Sequence, residues 1–174
     1  MTISHIDARA RFDASKEALK VIYYVIIGLA ITQSLDRVFL SNGSFVSATF
    51  LDQNHLASLL LLLSFLPTVT RFVHGASIHL DVIHTGSFKV LFDFFGFFVQ
   101  ASLFYVMALS IHEGAIFAVL FGTMLVADTA WLCILRCVGY VKFGRTEIQW
   151  IASNLAIVAI FVVVWRYFDR SMAS

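Results

Sequence analysis

The sequence predicts an all-α, polytopic integral membrane protein: a bundle of five transmembrane helices with a cytoplasmic N-terminus and an external C-terminus. Three observations carry that expectation. The chain has 174 residues, 60% of them hydrophobic and only 13% charged, whereas a soluble domain carries about 25% charged residues. Apolar runs of spanning length recur along it, the most continuous opening as LASLLLLLSFL at Leu56. The segments between runs are short and built from turn and capping residues. A spanning helix takes about 20 apolar residues, so 174 residues hold five spans and no soluble domain of ordinary size.

Residues 1–17 mix both signs of charge (Asp7, Arg9, Arg11, Asp13, Lys16, Glu17) and form a cytoplasmic N-terminal segment. Ile3, Ile6 and Ala10 recur at helical spacing, as in a short interfacial helix; a solvated tail is the plainer reading. Residues 18–170 form one transmembrane domain. Its first span, about 19–40, has a basic start but no small-x-small cleavage site, and is read as a retained helix. Asn42-Gly43 and Ser44 mark a turn, and Asp52 and Asn54 are available to cap the next helix. The second span covers about 56–73, with helical periodicity continuing to Asp81. Pro67, the only proline, is expected to kink it, because proline withdraws a backbone donor. Ser87 can cap the third span, about 90–111, which is dense in phenylalanine. Ser110-x-x-Glu113 reads as a capping box for the fourth span, about 115–138, and Thr146-x-x-Gln149 as another for the fifth, about 148–168. Four spans result if the first is removed or the fifth fails to cross.

Loop Lys and Arg set the orientation. Arg9, Arg11, Lys16 and Lys20 flank the first span, Arg71 and Lys89 border the loop after the second, and Arg136, Lys142 and Arg145 follow the fourth. All then lie in the cytoplasm, with Arg166 and Arg170 discordant on the outer tail. The expected location is a plasma or bacterial inner membrane.

This threading places polar side chains from four helices in the inner leaflet. Arg71 and His74 end the second span, Asp93 and Gln100 lie on the third, Asp128 on the fourth and Asn154 on the fifth. A charge at that depth is costly unless paired or wet. Arg71 is expected to pair with Asp93 or Asp128, with His74 and Asn154 meeting the remaining groups. Arg71, His74, Ile78 and Asp81 fall on one helical stripe. The cluster reads either as a latch between helices or as a binding, proton-linked or gating site. His79, Asp81, His84, Lys142 and Arg145 make a candidate cytoplasmic docking surface.

The formal net charge of +1 argues against a nucleic-acid surface. His74, His79 and His84, at intervals of five, do not share a helical face, so no metal, haem or other cofactor is expected. Cys133 and Cys137 lie i, i+4, as buried thiols or an acylation site would, and not as C-x-x-C. Gly28, Gly96 and Gly122 are places where helices could approach. Trp131, Tyr140, Phe143 and Trp150 would make an inner aromatic belt, and Trp165, Tyr167 and Phe168 an outer one. No nucleotide, zinc-protease or serine-hydrolase motif occurs. The leading expectation is a non-enzymatic membrane subunit or sensor-effector that forms homo-oligomers or binds a cytoplasmic protein. An ion or small-solute transporter using Asp93 and Asp128 comes second, and an intramembrane lipid-modifying enzyme third.

Overall fold

Helix-forming apolar residues favour continuous helices, and the computed structural model contains five among its described residues. It describes the backbone of residues 2–41, 44–45, 53–82, 87–137 and 144–172, and the side chains of 10–40, 55–80, 91–137, 144–160 and 162. The helices are α1 (Thr2–Phe39), α2 (Gln53–Val82), α3 (Ser87–Leu109), α4 (Gly114–Cys137) and α5 (Arg145–Met172). Helices α1 to α4 each contain a segment long and apolar enough to cross a membrane: Ala10–Phe39, His55–Leu80, Leu91–Leu109 and Gly114–Cys137. The expectations for Asn42, Gly43, Asp52, His84, Tyr140, Lys142 and Phe143 lie outside the described residues. So do those for the side chains of Ile3, Ile6, Asn54, Asp81, Ser87, Lys89 and the aromatic and basic residues from Trp165 onward.

The N-terminal segment is continuous with the first span in one helix of 38 residues. Nothing between Thr2 and Phe39 breaks a helix: there is no proline, and the single glycine, Gly28, is tolerated. A two-residue antiparallel ladder follows, pairing Leu40 with Phe45 and Ser41 with Ser44 around Asn42-Gly43. Helix α2 runs through Pro67, which has no N–H to offer the Leu63 carbonyl. Hydroxyls on the same stretch bond backwards to carbonyls one turn earlier: Ser64 to Leu60, Thr68 to Ser64 and Thr70 to Leu66, at 2.8–3.0 Å. Such bonds let hydroxyl residues sit in an apolar helix with their donors satisfied.

Both expected capping boxes shift. The Ser110 hydroxyl turns back to the Val106 carbonyl at 3.0 Å, closing α3, and the Glu113 N–H donates to the Ser110 carbonyl. Ser110 thus ends one helix and does not begin the next, because α4 starts four residues later at Gly114. At α5 the box sits two residues earlier than the Thr146 pattern. Gly144 is the N-cap, and its N–H donates to Glu147 Oε2 at 2.8 Å, the return half of a capping box.

The chain divides into two compact units, Met1–Gly114 and Ala115–Ser174. In the first, α1 packs chiefly on α3 and less on α2. Each helix contributes one stripe with spacings of three and four: Leu19, Tyr23, Ile27, Ala30, Ser34 and Val38 on α1; Ser58, Leu62, Phe65, Val69, Phe72, Ala76 and Leu80 on α2; Asp93, Phe97, Ala101, Phe104 and Ala108 on α3. That spacing is the seam of left-handed helix packing. Side-chain contacts set the directions. Tyr23 meets Gln100 and the Arg37 carbonyl meets His112, so α1 and α3 run parallel; Ser58 meets His112 and His79 meets Asp93, so α2 runs against them. Ala30, Ala101 and Ala108 are fully buried, and small side chains are what let backbones approach in lipid. Gly28 and Gly122 do not serve this purpose: a Cβ at either would meet nothing within 4 Å.

Candidate functional site: polar ties between membrane helices

Two groups of hydrogen bonds close the first unit at opposite ends. At one end His112, in the turn after α3, bridges two elements. Its Nδ1 lies 2.8 Å from Ser58 Oγ on α2, and its Nε2 lies 2.7 Å from the Arg37 carbonyl at the end of α1. The carbonyl only accepts, so Nε2 carries the hydrogen; Nδ1 of the neutral ring then accepts from the Ser58 hydroxyl. Ser58 is buried and His112 exposed.

At the other end His79 Nε2 lies 3.1 Å from Asp93 Oδ1, linking α2 to α3. The His79 side chain is one-fifth exposed and Asp93 is fully buried. With the carboxylate ionised, Nε2–H is the donor. Phe97 sets its ring edge-on to both His79 and Tyr23, with centroids 5.9 and 5.4 Å away. The Tyr23 hydroxyl donates to Gln100 Oε1 at 2.9 Å, and the hydroxyls of Tyr24 and Ser77 lie 2.6 Å apart. From Ser58 to His79 helix α2 rises about 31 Å at about 1.5 Å per residue, close to the roughly 30 Å of a bilayer's hydrocarbon core. The two ties are therefore about one hydrocarbon-core thickness apart along α2.

The second unit has its own tie. Asp128 Oδ2, on α4, accepts from Trp150 Nε1–H at 2.7 Å and from Asn154 Nδ2–H at 2.8 Å, both on α5. Asn154 Nδ2 also reaches Thr129 Oγ1 at 3.4 Å. Asn154 is fully buried, and its Oδ1 has no hydrogen-bond partner among the described residues. The amide nitrogen must face the carboxylate, which fixes the amide's orientation and leaves that oxygen turned away.

The sequence-predicted residues thus fall in two groups. The structure brings together Asp128 and Asn154 with Trp150 and Thr129, and places Asp93 with His79 and Gln100 with Tyr23. Asp93 and Asp128 belong to different units. The stripe chosen from polarity on α2 is not the packed one. Phe72, Ala76 and Leu80 are buried, while His74 and Ile78 are exposed and Arg71 half-buried. The apolar three-four seam, and not the polar residues, sets which face turns inward. The Arg71 guanidinium lies over the Phe72 ring at 5.9 Å. Arg71 and His74 line an open groove of about 590 Å³ with Leu63, Leu66, Pro67 and Thr70.

His79, expected on a docking surface, is half-buried in the cluster, whereas Arg145 is exposed. Cys133 and Cys137 are free and exposed, not buried. Among the described residues no group of three or more metal-binding side chains occurs. The Ser58–His112–Arg37 tie was not expected: one partner is a backbone carbonyl, and Ser58 lies inside the leucine run. The chain matches no family model, no curated protein and no solved structure.

Proposed function

We propose that this chain is a non-enzymatic integral membrane subunit, with its N-terminus in the cytoplasm, that assembles with copies of itself or with a cytoplasmic protein. The observation that carries this reading is the use made of two carboxylates, Asp93 fully buried and Asp128 half-buried. Asp93 bonds His79 on the preceding helix, and Asp128 bonds Trp150 and Asn154 on the following one, each within its own unit, as interhelical latches do in membranes. Small bundles bury little surface alone, and association completes them. Arg145, with Asp81, His84 and Lys142, supplies the cytoplasmic docking face, on the side that the loop Lys and Arg assign to the cytoplasm. Native mass spectrometry of the gently extracted assembly tests the proposal. A homo-oligomer or a defined complex is expected, and Arg145→Glu combined with Lys142→Glu should abolish a complex without unfolding the chain. A lone monomer under all mild conditions contradicts it.

One observation favours a second reading, proton-linked transport. A fully buried carboxylate bonded to a partly exposed imidazole is an arrangement that can take a proton from water and hold it inside. Under this reading Asp93→Asn in reconstituted vesicles abolishes flux driven by a proton gradient. Absence of any such flux in the unaltered protein removes it.

A further inference from the structure

The exposed groove on α2 has the order of parts of a phospholipid. Its lining runs from Leu63, Leu66 and Pro67 to Thr70, Arg71 and His74, apolar first and hydrogen-bond donors last. All six residues lie on one stripe of a single helix. Leu63 is 57% exposed, and Thr70 and His74 are exposed too. The donors lie about 9–14 Å before Leu80, the end of the spanning segment, at about 1.5 Å per residue. A cation on an exposed face at that depth is costly, and bilayers answer such an arginine by drawing polar headgroups inward. The guanidinium presents five donors in a planar fork, so a bond to one side chain still leaves an edge for a phosphate.

We propose that this groove binds an anionic phospholipid, with an acyl chain along Leu63, Leu66 and Pro67 and the phosphate against Arg71 and His74. Charge complementarity selects a phosphate with net negative charge over a zwitterionic headgroup, as basic pockets on transmembrane helices do. The site is independent of whether the chain assembles.

The test uses the full chain reconstituted in vesicles containing equal parts phosphatidylglycerol and phosphatidylcholine, extracted mildly and weighed intact. Phosphatidylglycerol adducts are expected to dominate. Arg71→Gln should lower the phosphatidylglycerol-to-phosphatidylcholine ratio about fivefold, the effect of about one basic group at an anionic surface, with a similar fall for His74→Gln. Leu63→Trp, at an exposed position that leaves both donors in place, should displace the lipid; it carries the test if Arg71→Gln fails to fold. Equal retention of both lipids, or an unchanged ratio in the variants, overturns the proposal. So does displacement of the lipid by inorganic phosphate, which would make this a free-anion site. A stable dimer cross-linked through Leu63→Cys, carrying no lipid, would assign the groove to a second copy and overturn it as well.

Discussion

At the residue scale the protein ties its helices together through small sets of polar side chains, and each set predicts its own response to substitution. Asp128 serves two donors with one oxygen. Asp128→Leu removes the acceptor shared by the Trp150 indole N–H and the Asn154 amide, at about 1–3 kcal/mol for each bond lost. Asp128→Asn keeps a carbonyl acceptor and should lose less than half as much. Thermal denaturation in detergent separates the two, and equal losses would show that the carboxylate does not tie α4 to α5. His112 is expected to carry its hydrogen on Nε2 when neutral, because the Arg37 carbonyl accepts there. Nitrogen NMR of the labelled imidazole reads that directly, and a hydrogen on Nδ1 instead would contradict the bridge. Of these sets, the common depth of Asp128 and Asn154 was legible in the sequence, since both stand out in otherwise apolar helices; their direct bond was not, because charge alone pointed to Arg71 as the carboxylate's partner. The His79–Asp93 pair was not, because it depends on which face of α2 turns inward, and that face is chosen by Phe65, Val69, Phe72, Ala76 and Leu80.

At the scale of the element, hydropathy located every helix to within a few residues of its core, and capping chemistry misplaced both boxes. The reason is geometric. A capping box needs its first residue immediately before the first helical turn, and α4 and α5 begin at Gly114 and Arg145. Ser110 and Thr146 do not occupy that position. Glu147→Ala should therefore fray the first turn of α5 by about 1 kcal/mol, seen as faster amide exchange there, while Thr146→Ala changes little. The α1–α3 contact rests on close approach at fully buried alanines. Replacing Ala30 with Leu inserts a branched side chain where no space exists, and should cost about 1–3 kcal/mol in thermal stability. The same change at exposed Gly28 should cost no more than a few tenths, measured the same way.

For the whole molecule, the central claim is that polar ties mark both surfaces of a membrane and apolar helices join them. Composition and hydropathy carried the membrane and the all-helical bundle, because lipid forces each backbone to satisfy itself within its own helix. Helix pairing was less legible: in lipid, Leu facing a neighbour and Leu facing an acyl chain look alike in sequence. The placement of the ends is open to direct measurement on α4. Cys133 and Cys137, both free and exposed, stand near its C-terminal end, which the proposed orientation puts in the cytoplasm, and Glu113 precedes its other end. Labelling with a membrane-impermeant maleimide in sealed, right-side-out membranes tests the span most directly. The unaltered chain should label only after permeabilisation, and Glu113→Cys should add a label from outside in intact membranes. Labelling of both ends from the same side would contradict a membrane-crossing α4, and with it the reading of the ties as the two faces of a transmembrane bundle.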